Sequence, residues 1–309
     1  MQSKPVKLIF TAVVAAFVAT GCSDESNETV VGNQPISFAN NISRAPAISV
    51  TEGMESFLVW GGFDNTNNLF DATLVTPQGY YDGNRYWAPG KTHNFYALHP
   101  ASLTGVSCNE DGVRTITDFD TSKGRGKDAV DIMTAQYTGV YVAPETVPQS
   151  VPFRFQHELS RVSFSITSAE PVTISDVKLR GMGYVGNFTT APQTAQTSWT
   201  ITKTAGENDN TFTHQTTQVD AGGQLEFFGG DLLLIPQTLE NCYFTMTWTY
   251  TESGETRTVN TPLSSTAMKE WTKGKSYRYS AEIPSPNKDV TVNVTVGDWN
   301  AKKTIQVEL

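Results

Sequence analysis

Two-residue alternation is the feature that most limits what this chain can become. In VTVNVTV, Val290, Val292, Val294 and Val296 occupy every second position, and in FTMTW Phe244, Met246 and Trp248 do the same. An extended strand sends successive side chains to opposite faces, so each run presents one apolar and one polar surface. No segment sustains a 3.6-residue apolar period over three turns, which a helix would need to bury a stripe. Other runs, among them SFLVWGGF, RTITDF, SWTITKT and GQLEFFGGDLLLIP, are short and separated by Gly, Pro, Asn and Asp. Evenly spaced short strands with turn signals predict β-sandwich architecture, and the expected fold class is all-β.

At 309 residues the chain has material for one large or two ordinary domains. APETVPQSVP, from Ala143 to Pro152, holds three prolines and disfavours both helix and central strand. The expected boundary is therefore near residue 150, with one domain over 45–150 and another over 151–309. Charged residues make up 17% and the net charge is −9, which argues against a nucleic-acid surface because that needs a basic field to displace counterions. The one basic cluster, KGRGK from Lys123 to Lys127, is glycine-spaced and reads as a mobile loop.

The first 21 residues read as a targeting segment. Lys4 and Lys7 precede the apolar LIFTAVVAAFVAT, which is too short and wrongly flanked for a spanning helix. Ala19-Thr20-Gly21-Cys22 resembles a bacterial lipobox, with Cys22 as the lipidated residue that anchors the chain in the outer membrane. Ser23-Asp24-Glu25 resembles the acidic export tag of Bacteroidetes surface lipoproteins. The competing reading is a plain secretory signal. Residues 22–44 then form a polar tether and one strand-like leader.

Chemistry-bearing motifs are weak. GMGYVG, Gly181 to Gly186, matches GxGxxG, but a proline-containing, non-helical stretch follows it, so its glycines read as turn or bulge positions. The histidines, His93, His99, His157 and His214, have no metal-ligand spacing, and His157 reads as packed or hydrogen-bonded between apolar strands. The pair Asp128/Asp131 reads as a loop cap. Cys108 and Cys242 form no disulfide framework, and neither metal nor cofactor is expected. Trp60, Trp87 and Trp271 could offer a sugar platform if exposed, although sandwich tryptophans are usually core.

Several runs, in order, resemble the fimbrillin family, the type V pilus subunits of Bacteroidia, in its Mfa-like branch. They are HNFYALHP (His93–Pro100), DIMTAQ (Asp131–Gln136), FRFQHELSRVSFSI (Phe153–Ile166), LLLIPQTL (Leu232–Leu239), EWTKGKSYRYSAEI (Glu270–Ile283) and VTVGDW (Val294–Trp299). The resemblance implies two transthyretin-like β-sandwich domains in tandem and no catalysis. It further implies a lipoprotein precursor from which an arginine-specific protease removes the first strand. The groove so opened is filled by a strand from a neighbouring fimbrial subunit.

In this chain the matching bond is Arg44-Ala45, within ISFANNISRAPAISV, Ile36 to Val50. The candidate donor is KKTIQVEL, with Ile305, Val307 and Leu309 at alternate positions; an ordinary last strand is the equal alternative. Stalk, tip and anchor roles stay open, as does a ligand on a host or bacterial surface. The rival function is a non-polymerising, glycan-binding surface lipoprotein.

Overall fold

A computed structural model of the chain describes residues 34–42, 54–142, 150–194, 196–286, 288–299 and 304–308, with backbone alone for 40–42 and 304–308. Among them the all-β class holds, with short 3-10 turns at Gly126–Asp128 and Pro192–Thr194. The strands begin with β1 (Phe38–Ile42), β2 (Phe57–Phe63), β3 (Phe70–Val75), β4 (Thr92–His99), β5 (Val106–Cys108), β6 (Arg114–Asp120), β7 (Met133–Val140) and β8 (Val151–His157). Next come β9 (Ser160–Ser168), β10 (Val172–Arg180), β11 (Gly183–Ala191), β12 (Gln196–Thr204), β13 (Thr213–His214), β14 (Thr217–Val219), β15 (Gln224–Glu226) and β16 (Leu232–Leu234). The last are β17 (Gln237–Thr238), β18 (Tyr243–Tyr250), β19 (Thr256–Pro262), β20 (Glu270–Trp271), β21 (Lys275–Ile283), β22 (Thr291–Asp298) and β23 (Thr304–Glu308).

The first sheet runs β1-β8-β7-β4-β2-β3. Laid flat, its edge strands would stand about 24 Å apart at ordinary strand spacing. Yet Phe38 of β1 and Phe70 of β3 meet with ring centroids 5.2 Å apart. The sheet therefore curls around its own aromatic core, which includes Phe57, Phe95, Phe153 and Phe155. Alternation explains the curl's filling, since Phe95 and Ala97 line this core while Leu98, one step away on β4, belongs to another cluster.

A second core lies between two sheets packed face to face. One is β15-β9-β21-β22-β23, with β16 also on β9; the other is β13-β10-β18-β19. Phe164 of β9 stacks on Phe244 of β18 across that interface at 5.3 Å. Val292 and Val294 are buried there, with Val290 and Val296 packed against it, as the alternation of VTVNVTV requires. Phe244, Met246 and Trp248 likewise all point inward.

A third cluster joins the parts. Ile116 of β6 and Phe188 of β11, from the sheet β12-β11-β6-β5, meet Trp60 and Leu98 from the outer face of the curled sheet. β8, whose first two residues Val151 and Pro152 close the proline-rich segment, lies between β1 and β7 in the first sheet, so this end of the segment does enter a strand paired on both sides. β11 reaches back to pair with β6.

One side chain of the basic cluster is held against the body. Arg125 donates to the Thr211 carbonyl and lies 5.7 Å from the Phe212 ring centre, so its guanidinium gains packing as well as charge solvation. Gly181 takes a positive φ of +79° at a tight turn, and the β11 register shifts at Val185 and Gly186. The GxGxxG stretch is thus a turn and a bulge, with no helix to receive a phosphate.

The buried imidazoles make stability depend on pH. His99 is held neutral, Nε2 accepting from the Glu55 N–H at 3.2 Å and Nδ1 donating to the Asp131 carbonyl at 3.2 Å. Burial pushes its pKa below the usual imidazole value, against weaker upward pulls from Asp131 and Glu55, with His157 pushing the same way as burial. The unfolded chain therefore takes up a proton that the folded chain refuses, and stability falls as pH drops below about 6.5. The urea midpoint is expected to fall between about pH 7 and about pH 5, and His99→Asn to flatten that slope. An unchanged slope in the variant would remove His99 from the account.

Candidate functional site

The leader segment occupies a slot built by two distant parts of the chain. On one side β1 pairs in parallel with β8, Phe38 opposite Val151 and Ile42 opposite Phe155, and the Val151 N–H donates to the Ser37 carbonyl at 2.7 Å. On the other side the Ile36 N–H donates to the Arg85 carbonyl at 2.8 Å, and the Trp87 N–H to the Gln34 carbonyl at 3.0 Å. The Tyr81 hydroxyl donates to the Ile36 carbonyl at 2.6 Å. Residues 34–38 thus have backbone partners on both flanks. Pro35 carries no N–H and sits in an isolated bridge with Tyr86, where no donor is required of it.

Side chains lock the segment in place. Ile36 and Phe38 are 2% and 4% exposed. Around Phe38 stand Phe70 at 5.2 Å, Phe153 at 5.3 Å, Tyr81 at 5.7 Å and Phe95 at 5.9 Å between ring centroids. Phe153 is stacked parallel to it and the other three meet it edge-on, the two arrangements that aromatic quadrupoles favour. Arg85 caps the cage, its guanidinium 4.9 Å from the Phe70 ring centre and bonded to the carbonyls of Leu69 and Asp82. Gly79, at φ +88°, closes the wall, where a Cβ would stand 2.1 Å from the Phe38 carbonyl oxygen. Burial raises the Tyr81 phenol above its usual value, so it stays a hydrogen-bond donor at neutral pH.

Of the sequence-derived site residues, Cys22, Arg44, Ala45 and Leu309 lie outside the described residues. Ile305 and Val307 lie on β23, paired with β22 opposite Val296 and Val294. In this chain Thr304–Glu308 therefore supplies an edge strand of one sheet that faces the second core. Phe38, Phe70, Tyr81 and Phe153 were not singled out from sequence; the alternating Ile36-x-Phe38 of the leader was the available signal.

The three tryptophans are core, the reading that sandwich tryptophans usually take. Trp60, Trp87 and Trp271 are 3%, 4% and 1% exposed, so none presents a ring to a glycan. His157 is packed as expected, stacked on Trp299 at 4.3 Å, with Nδ1 2.7 Å from Asp131 Oδ2. Asp131 is therefore a histidine partner and not a loop cap. Among the described residues no three His, Cys, Asp or Glu side chains converge on a metal position.

Cys108 and Cys242 are free thiols, and burial pushes their pKa values up to about 12 and about 11. A chain beginning at Ser23 is expected to show almost no reaction with a disulfide reagent near pH 8 and two reactive thiols once unfolded. Rapid labelling of the folded protein would contradict this.

The fimbrillin-like family profile matches residues 40–299, most of the chain. The chain belongs to the fimbrillin-like family. This family is one of structural proteins, not enzymes. No curated protein is similar to this fimbrillin-like chain. Among solved structures it is similar to a fimbrial protein from Bacteroides vulgatus, with TM-score 0.58 and 13% identity over 87% of this chain and 100% of that one. A cell adhesion protein from Bacteroides uniformis gives TM-score 0.55 and 16% identity over 87% and 100%. Another from Bacteroides ovatus gives 0.54 and 16% over 88% and 100%. At such identities the likeness establishes a shared fold.

Proposed function

We propose that this fimbrillin-like chain is a stalk or tip subunit of a type V fimbria that supports adhesion at the cell surface. The precursor is exported as an outer-membrane lipoprotein on Cys22, cut after Arg44 by an arginine-specific protease, and joined to its neighbours by strand exchange. One observation carries the reading: the slot of β1 is completed by a short segment that precedes Arg44 in sequence and is bonded on both flanks.

Removal of residues up to Arg44 would strip Ile36 and Phe38 from the core, exposing roughly 1.5–3 kcal/mol of burial for each. It would also leave the β8 ladder and the 85–87 backbone unpaired, which is costly in water. An incoming strand repairs both losses, so the cut supplies the driving force for assembly. On this reading the body divides into two sandwiches in tandem.

The test is the N-terminal residue of the protein taken from the cell surface. Ala45 is expected, and Arg44→Ala is expected to leave the leader attached and abolish polymer. A surface protein that starts at lipidated Cys22 with Arg44 intact, yet still polymerises, would overturn the reading.

A further inference from the structure

We propose that the β1 slot contains an aromatic subsite, filled in the precursor by Phe38, and that it selects a donor strand carrying an aromatic ring two residues after an aliphatic one. The partner is then a different subunit from one whose donor is KKTIQVEL. This rests on the strand-exchange reading and specifies its partner.

The cage dictates the chemistry. Four rings, from Phe70, Tyr81, Phe95 and Phe153, stand within 5.9 Å of the Phe38 centroid, one stacked and three edge-on. Such walls match a flat ring; a branched aliphatic in the same place leaves a void beside faces that then lack contact atoms. The neighbouring position, Ile36, is 2% exposed and sets an aliphatic subsite two residues earlier, the spacing at which a strand returns to the same face. Tyr81 bonded to the Ile36 carbonyl and the glycine wall at Gly79 fix the register, so the ring cannot be supplied from a shifted position. KKTIQVEL offers Ile305, Val307 and Leu309 at these intervals and no ring at all. In its own chain its strand already completes a sheet beside β22.

The experiment uses the full chain nicked at Arg44 by limited arginine-specific proteolysis, with the fluorescently labelled leader still seated. Release of the leader is measured with three competitor peptides: QPISFANNI, the same peptide with Phe38→Ile, and KKTIQVEL. QPISFANNI is expected to displace the leader, and each of the other two to need at least tenfold more peptide. If the Phe38→Ile peptide or KKTIQVEL competes equally well, the aromatic subsite is overturned while strand exchange stands. If QPISFANNI fails to displace the leader under any condition, strand exchange and the subsite fall together. Phe70→Ala in the nicked chain provides a second reading: it is expected to narrow the gap between QPISFANNI and its isoleucine form, and an unchanged gap would count against the cage.

Discussion

Phe38→Ala in the uncut chain is expected to lower the free energy of unfolding by about 3–5 kcal/mol, the range for truncating a fully buried phenylalanine. The site justifies the upper part of that range. The ring is 4% exposed and touches four aromatic neighbours drawn from β3, β4, β8 and the 76–91 connection. These belong to different strands held by backbone ladders, so they cannot all collapse into the space left behind. Tyr80→Ala, at a side chain 72% exposed, is the control and is expected to change stability by less than about 0.5 kcal/mol. Urea unfolding of the three proteins decides the matter. A loss under about 1 kcal/mol for Phe38→Ala would mean that β1 is dispensable to the fold, and the assembly argument would lose its driving force.

Glu158→Ala is expected to cost about 3 kcal/mol, near the low end for breaking a buried ion pair. The carboxylate is 1% exposed and accepts from Thr134 at 2.6 Å, Thr197 at 2.7 Å and Lys273 at 3.0 Å. It lines a cavity of about 70 Å³ shared with the buried Arg114, whose Nη1 donates to the carbonyls of Ala97 and Ala135 at 2.7 Å. Removing the carboxylate leaves two hydroxyls without their acceptor and a buried guanidinium without a nearby counter-charge. The cost stays near the lower figure because Lys273 is about one-third exposed, so water can solvate its ammonium. Glu158→Gln keeps the shape and one acceptor and is expected to cost clearly less than Glu158→Ala. Equal losses in a urea series would show that charge, and not shape, matters at this junction of β7, β8 and β12.

The chain announces its class through local pattern. Val292 and Val294 face the second core because adjacent strand residues point oppositely, a geometric fact that needs no knowledge of the rest of the molecule. The same holds for Phe244, Met246 and Trp248, and for the glycines of GMGYVG, whose lack of a following helix was visible in the sequence. The leader's strand character was legible too, since Ile36 and Phe38 alternate before Arg44. Which residues bury each tryptophan was not legible. Trp60 is buried by Leu98 and by Ile116 and Phe188 from other strands, and no window around residue 60 contains that information.

What the sequence determined by itself is strand period, turn positions and family, because each is written in neighbouring residues or in an ordered set of short motifs. Tertiary structure alone decided that β8 returns past the proline-rich segment to pair with β1, that β11 crosses to β6, and that the sheet curls until Phe38 reaches Phe70. Strand pairing depends on backbone groups that every residue carries alike, so its partners are chosen by how distant apolar faces fit together. The aromatic cage around Phe38 exists only after that choice has been made.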